Sequence, residues 1–130
     1  MIDHIGVGVS RLVPSKAFYT KALAAIGYEL LYELSAEVTG AGAFAGFGVS
    51  PKADFWIREG KANLPPIHVA FRAATRAQVD AFYRAALAAG GRDNGAPGLR
   101  PHYSPDYYGA FVLDPDGHNI EAVCRLPAAH

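Results

Sequence analysis

Apolar and polar positions alternate in two stretches of the chain, and the second stretch repeats the first after a shift of 64 positions. From Ile2 to Val9, Ile5, Val7 and Val9 fall on one side and His4, Gly6 and Gly8 on the other, the period-two pattern of a strand. Ile67, Val69 and Phe71 oppose His68, Ala70 and Arg72 in the same way. Each strand runs into a segment of helical period. Phe18, Tyr19, Ala22, Leu23 and Ile26 form one apolar stripe, with Pro14 suited to the first turn and Gly27 to the stop. Val79, Phe82, Tyr83, Ala86 and Leu87 form the other, opened by the capping-box pattern Thr75-Arg76-Ala77-Gln78 and closed by Gly90-Gly91.

Three strands are expected after each helix. They fall at about 28–34, 41–49 and 53–58, then about 91–93, 107–114 and 119–125. The shift of 64 also lays Ala17-Phe18-Tyr19 on Ala81-Phe82-Tyr83, Ala22-Leu23-Ala24-Ala25 on Ala86-Leu87-Ala88-Ala89, Gly27 on Gly91 and Pro51 on Pro115. That many identities without a gap mark two copies of one β-α-β-β-β module. The expected class is α+β, with a single domain over 1–130 made of modules at about 1–62 and 63–130. The Gly- and Pro-rich stretch 94–105 reads as a long loop.

Composition narrows the function. Twelve basic side chains balance twelve acidic ones, so the broad positive footprint of a nucleic-acid binder is missing, and a small-molecule partner fits better. No apolar run approaches the ~18 residues of a membrane span, and the first residues lack the pattern of a signal peptide. With the single Cys124 unable to form an internal disulfide, a cytoplasmic location is expected, without a membrane partner.

The chemistry follows from parity. A strand beside a helix turns its continuous apolar side to that helix, so His4 and His68 face away, next to Gly6, Gly8 and Ala70, whose small side chains leave open volume. In the last strand Ile120, Ala122 and Cys124 form the apolar set, which puts Glu121 on the opposite side. Two imidazoles and a carboxylate on one face make a set suited to Fe, Mn, Zn, Ni or Co, with coordination positions left open for water and substrate.

The double module, the opening DHIGVGV at Asp3, the IHVAF at Ile67 and the closing DPDGHNIEAV at Asp114 resemble the vicinal oxygen chelate superfamily of glyoxalases, bleomycin-resistance proteins and extradiol dioxygenases. The resemblance spans nearly the whole chain. It implies a cupped, partly open mixed β-barrel with helices outside, and metal ligands on the first and last strand of each module. His4, His68 and Glu121 match three of those positions. At the fourth, the shift of 64 points to Ile57 and parity points to Trp56, neither of which binds a metal. Glyoxalase I enzymes use a carboxylate there, so that activity is not expected. The three-ligand pattern is closer to dioxygenases and fosfomycin-modifying thiol transferases.

His102 and Tyr103 are candidate acid or base groups and Arg100 a candidate anion contact, with solvent-facing loop residues as the alternative. Trp56 is a candidate substrate wall. Of Tyr107 and Tyr108, which alternate, one should face the cup. His118, in the turn after Asp116-Gly117, is expected to be exposed, Cys124 to be an inert core thiol, and the terminal His130 to fray. The reading that follows is a metal-dependent lyase, isomerase or dioxygenase acting on an oxygen-chelating small molecule. A metal-free binding protein of the bleomycin-resistance type is the alternative. Unpaired strand edges predict a homodimer.

Overall fold

The computed structural model describes residues 1–128. The first module comprises β1 (Ile5–Val9), α1 (Leu12–Ala24), β2 (Glu29–Leu34), the one-turn α2 (Ala36–Thr39), β3 (Phe44–Val49) and β4 (Lys52–Glu59). The second comprises β5 (His68–Arg72), α3 (Arg76–Ala88), β6 (Arg92–Leu99), β7 (Tyr108–Leu113) and β8 (Asn119–Cys124). His130 lies outside the described residues.

Each module folds its four strands into one mixed sheet. The orders are β1-β4-β3-β2 and β5-β8-β7-β6, so the first strand of each module runs parallel to its last and the remaining pairs are antiparallel. The two sheets do not close into a barrel among the described residues. Helices α1 and α3 pack against each other, and the apolar side of both sheets is buried in one continuous cluster. Phe55 meets Phe71 edge-on across the module boundary, with ring centroids 5.0 Å apart. Gly91 makes room for Phe18: a Cβ there would lie 2.6 Å from its ring. The aromatic side chains Phe18, Tyr19, Phe47, Phe55 and Phe82 supply much of the apolar area that holds the modules together.

Helix ends follow the expected chemistry. Thr75 Oγ1 accepts from Gln78 N–H at 3.1 Å, and Gln78 Oε1 accepts from Ala74 N–H at 2.8 Å, which satisfies one donor of the first turn of α3 and the N–H just before its cap.

Four expectations need correction. β1 starts at Ile5 rather than Ile2, because pairing with β4 begins at the register Ile5–Phe55, and His4 sits just before the strand. Helix α2 had no visible period, being only one turn long, with Gly40 closing it in the left-handed region. The stretch from Asn94 onward is not all loop. β6 continues to Leu99 as an edge strand, and register shifts around Gly95 and Gly98 let Pro97 sit in it without a missing ladder bond. Finally, His118 is fully buried.

That histidine and its turn lock the modules together. Ile67 N–H donates to His118 Nδ1 at 3.1 Å, which leaves the proton on Nε2 to be donated to the Gly8 carbonyl at 3.0 Å. Asp114 Oδ1 accepts from the backbone N–H of Asp116 and His118, while its Oδ2 accepts from Tyr19 O–H at 2.5 Å. Asp116 Oδ2 takes Ser10 N–H at 3.0 Å. Burial and the adjacent Asp114 carboxylate raise the Tyr19 phenol well above its ordinary value. A polar turn thus fastens β7 and β8 to β1 and α1.

Candidate functional site

The face of each sheet turned away from the helices carries the candidate chemistry, and the two faces differ. In the second module, β5 pairs with β8 so that Ala70 stands beside Glu121, and β7 pairs with β8 so that Phe111 stands on its other side. His68 lies two residues before Ala70 and therefore on the same face. Its Nε2 is 2.8 Å from Glu121 Oε1. Tyr107 O–H donates to Glu121 Oε2, and the Glu121 carboxylate is buried beneath these two partners. Burial first, then the bond and charge of Glu121, push the Tyr107 phenol up to about 12, so it stays protonated through neutral pH.

A recess of about 520 Å³ opens over this pair, lined by His68, His102, Tyr103, Tyr107, Phe111, Glu121 and Arg125. Tyr103 stands edge-on to Tyr107 at 4.9 Å, and the His102 ring is 4.2 Å from Tyr103. Arg125 lies over the Tyr107 ring at 4.8 Å. Sequence reasoning missed Arg125, although Glu121, Val123 and Arg125 continue one parity. It also missed Phe111.

The other candidates lie elsewhere. Tyr108 is the alternate that turns from the cup: its O–H donates to Asp80 of α3 at 2.7 Å. Arg100 donates to the carbonyls of Ala96 and Gly98 at 2.8 and 2.9 Å and lies over Phe111, bracing the end of β6. His4 is exposed and bonded through Nδ1 to Asp3 at 2.7 Å, which leaves its Nε2 free. It borders a separate recess of about 440 Å³ with Gly6, Leu34, Thr39, Ala41, Phe44 and Trp56.

Trp56 occupies in the first sheet the station that Glu121 holds in the second. It stands between Gly6 of β1 and Gly46 of β3, as Glu121 stands between Ala70 and Phe111. Ile57 is fully buried on the helix side, so parity and not the fixed shift identifies the fourth position. The indole covers Gly46 so closely that a Cβ there would be 2.7 Å from its ring, and it stacks on Tyr32 at 5.9 Å.

The one trio of metal-ligand side chains with atoms within 4.8 Å of one another among the described residues is Asp114, Asp116 and His118. Both ring nitrogens of His118 are already committed to the backbone, as are both oxygens of Asp114 to N–H and phenol donors, so this group acts as the junction between modules. Among the described residues, His4, His68 and Glu121 of one chain do not form such a trio.

The chain belongs to the glyoxalase/bleomycin resistance protein/dioxygenase superfamily, whose family model matches residues 1–122. A glyoxalase/bleomycin resistance protein from Albidiferax ferrireducens is 30% identical, covering 95% of this chain and 98% of its own, with a TM-score of 0.75. A glyoxalase/bleomycin resistance protein/dioxygenase domain from Frankia sp. shares the fold at 19% identity and a TM-score of 0.75, covering 100% of this chain and 95% of that one. The fold is shared too by a mutant of the fosfomycin resistance protein FosX from Listeria monocytogenes, complexed with Mn(II) and 1S,2S-dihydroxypropylphosphonic acid, at 19% identity and a TM-score of 0.67, covering 95% of this chain and 88% of that one. No match was found among curated proteins.

Proposed function

We propose that the protein is a metal-dependent enzyme acting on a small oxygen-bearing substrate in the cup of the second module. The observation that carries this reading is the convergence of His68 Nε2 and Glu121 Oε1, 2.8 Å apart, at the wall of an open recess. A neutral imidazole and a carboxylate directed at one point suit a divalent ion, which would replace the proton they share. Such an ion would polarise a substrate oxygen as a Lewis acid. Tyr107 holds Glu121 from behind, fixing the carboxylate so that Oε1 faces His68. His102 and Tyr103, at the exposed side of the recess, are placed to give or accept a proton as substrate binds.

The third ligand in this proposal is His4 of a second copy. His4 borders its own module's recess, and its Nε2 is available. Strands β1, β2, β5 and β6 are sheet edges. Tyr32 and Leu34 are exposed on the first-module face, as Tyr103 is on the second. A homodimer that sets the first-module cup of one copy against the second-module cup of the other would cover these residues and complete the set of three. Light scattering at micromolar concentration should give the dimer mass; a monomer contradicts this arrangement.

A metal-free binding protein is the second reading, favoured by the recess at Trp56, where Leu34, Ala41, Phe44 and the stacked indole form an apolar surface beside His4. Calorimetric titration of Mn(II), Co(II) and Zn(II) into chelator-stripped protein separates the two. Saturable heat that disappears in Glu121→Gln supports the enzyme, and no heat with any of the three supports the binder.

A further inference from the structure

Glu121 and Arg125 bring one negative and one positive charge to the wall of the second-module recess, and the two are not paired with each other. Glu121 is the only carboxylate among the lining residues, and both its oxygens are engaged, by His68 and Tyr107. Arg125 brings a permanent positive charge to the same wall and forms no ion pair with a carboxylate among the described residues. Its guanidinium is held over the face of Tyr107 at 4.8 Å, and a guanidinium stacked in this way keeps its N–H edge free for a further acceptor. The remaining lining is aromatic, with Tyr103, Tyr107 and Phe111. The volume of about 520 Å³ falls inside the ~300–1,000 Å³ range of small-molecule pockets.

We propose that this recess selects a planar organic monocarboxylate, with the carboxylate on the Arg125 fork and the conjugated or aromatic body against Tyr103 and Phe111. The inference deepens the reading of this cup as the substrate site and rests on it. Three features choose the class. A planar fork of donors matches a carboxylate in two parallel bonds. One guanidinium compensates one negative charge, and in the chain stripped of divalent ions a dianion would leave its second charge facing Glu121. Flat aromatic walls favour a flat ligand over a saturated ring. Arg125 is exposed to solvent, so a neutral ligand would gain no charged bond from it, and a cation would be repelled by it.

The test uses benzoate, benzamide, cyclohexanecarboxylate and phenylphosphonate as probes, titrated by calorimetry into the full chain, first stripped of divalent ions and then reloaded with Mn(II). In stripped protein, benzoate should bind about ten- to a hundredfold more tightly than neutral benzamide, the worth of a charged hydrogen-bonded pair. Arg125→Gln should erase that preference. Tyr103→Ala should weaken benzoate and benzamide together and shrink the advantage of benzoate over cyclohexanecarboxylate. In stripped protein, equal affinity for benzoate and benzamide, no binding of benzoate, a preference that survives Arg125→Gln, or tighter binding of phenylphosphonate each overturns the inference. The two readings fail separately. Benzoate binding that requires Mn(II) and ignores Arg125 upholds the metal site and overturns the carboxylate fork, whereas Arg125-dependent binding in a protein that takes up no metal does the reverse.

Discussion

Trp56 and Glu121 are equivalent residues carrying opposite chemistry: each stands on the central strand beside the first strand of its module, facing away from the helices. One copy of the module presents an indole laid over Gly46, and the other a buried carboxylate gripped by a histidine and a phenol. The duplicated fold has thus been divided into an apolar recess and an ionic one.

The indole gives a direct optical handle, since Trp56 is the only tryptophan. In Gly46→Ala the new Cβ would meet the ring at 2.7 Å, so the side chain must leave its stack on Tyr32. Intrinsic fluorescence should shift to the red, with a loss of about 1–3 kcal/mol of stability from the forced repacking. Metal uptake should be unchanged, because an indole offers no ligand to a divalent ion. An unshifted spectrum would mean that the indole does not rest on Gly46.

The junction between modules is testable through Tyr19. Its hydroxyl is fully buried and bonded to Asp114, so Tyr19→Phe deprives that carboxylate of a donor. Denaturant unfolding should show about 1–3 kcal/mol lost. Uptake of divalent ions at His68 and Glu121 should persist.

A pH prediction follows from Tyr107. Its phenol is raised from 10.0 to about 12 in the folded chain, so the native state holds the proton when the unfolded state has released it. The stabilisation is complete below about pH 10 and is lost as pH rises toward 12. Other tyrosines are raised too, so the difference between wild type and Tyr107→Phe is the quantity to follow. The variant should lose stability less steeply across pH 10–12; parallel curves would mean that the Tyr107 phenol is not raised in the folded chain.

The shared site can be checked by complementation. His4→Ala and Glu121→Ala chains should each fail to retain metal alone. Mixed and allowed to exchange, they should recover about a quarter of the wild-type sites, because half the dimers are mixed and each mixed dimer rebuilds one of its two sites. No recovery would mean that His4 is not supplied by the partner.

Much of this was legible in the sequence because strand parity survives local irregularity. The faces of His68, Glu121, Trp56 and Ile57 follow from alternation alone, and the two βαβββ modules follow from the repeat. Interactions with no period were hidden. His118 reads as a turn residue, yet the turn folds back under β1 and buries it between Gly8 and Ile67. β6 was masked by Gly95, Pro97 and Gly98, residues that an edge strand tolerates through bulges. Arg125 lies one residue beyond the last strand, where the parity of Glu121 and Val123 continues without a strand to mark it. His4 shares its parity with His68, but parity carries no information about which recess a face completes.

The central claim is that His68 and Glu121 hold a divalent ion, and metal content of the reloaded protein tests it most directly. Chelator-stripped wild type, reloaded with Mn(II), Co(II) or Zn(II) and freed of excess, should retain at least one of these ions in stoichiometric amount by elemental analysis. Glu121→Ala should retain none, since removing the carboxylate leaves neutral imidazoles alone to hold a dication, while thermal unfolding should still report a cooperative fold built on Ile120, Ala122 and Cys124. Equal retention by wild type and Glu121→Ala, or none by wild type with any of the three, would contradict the account.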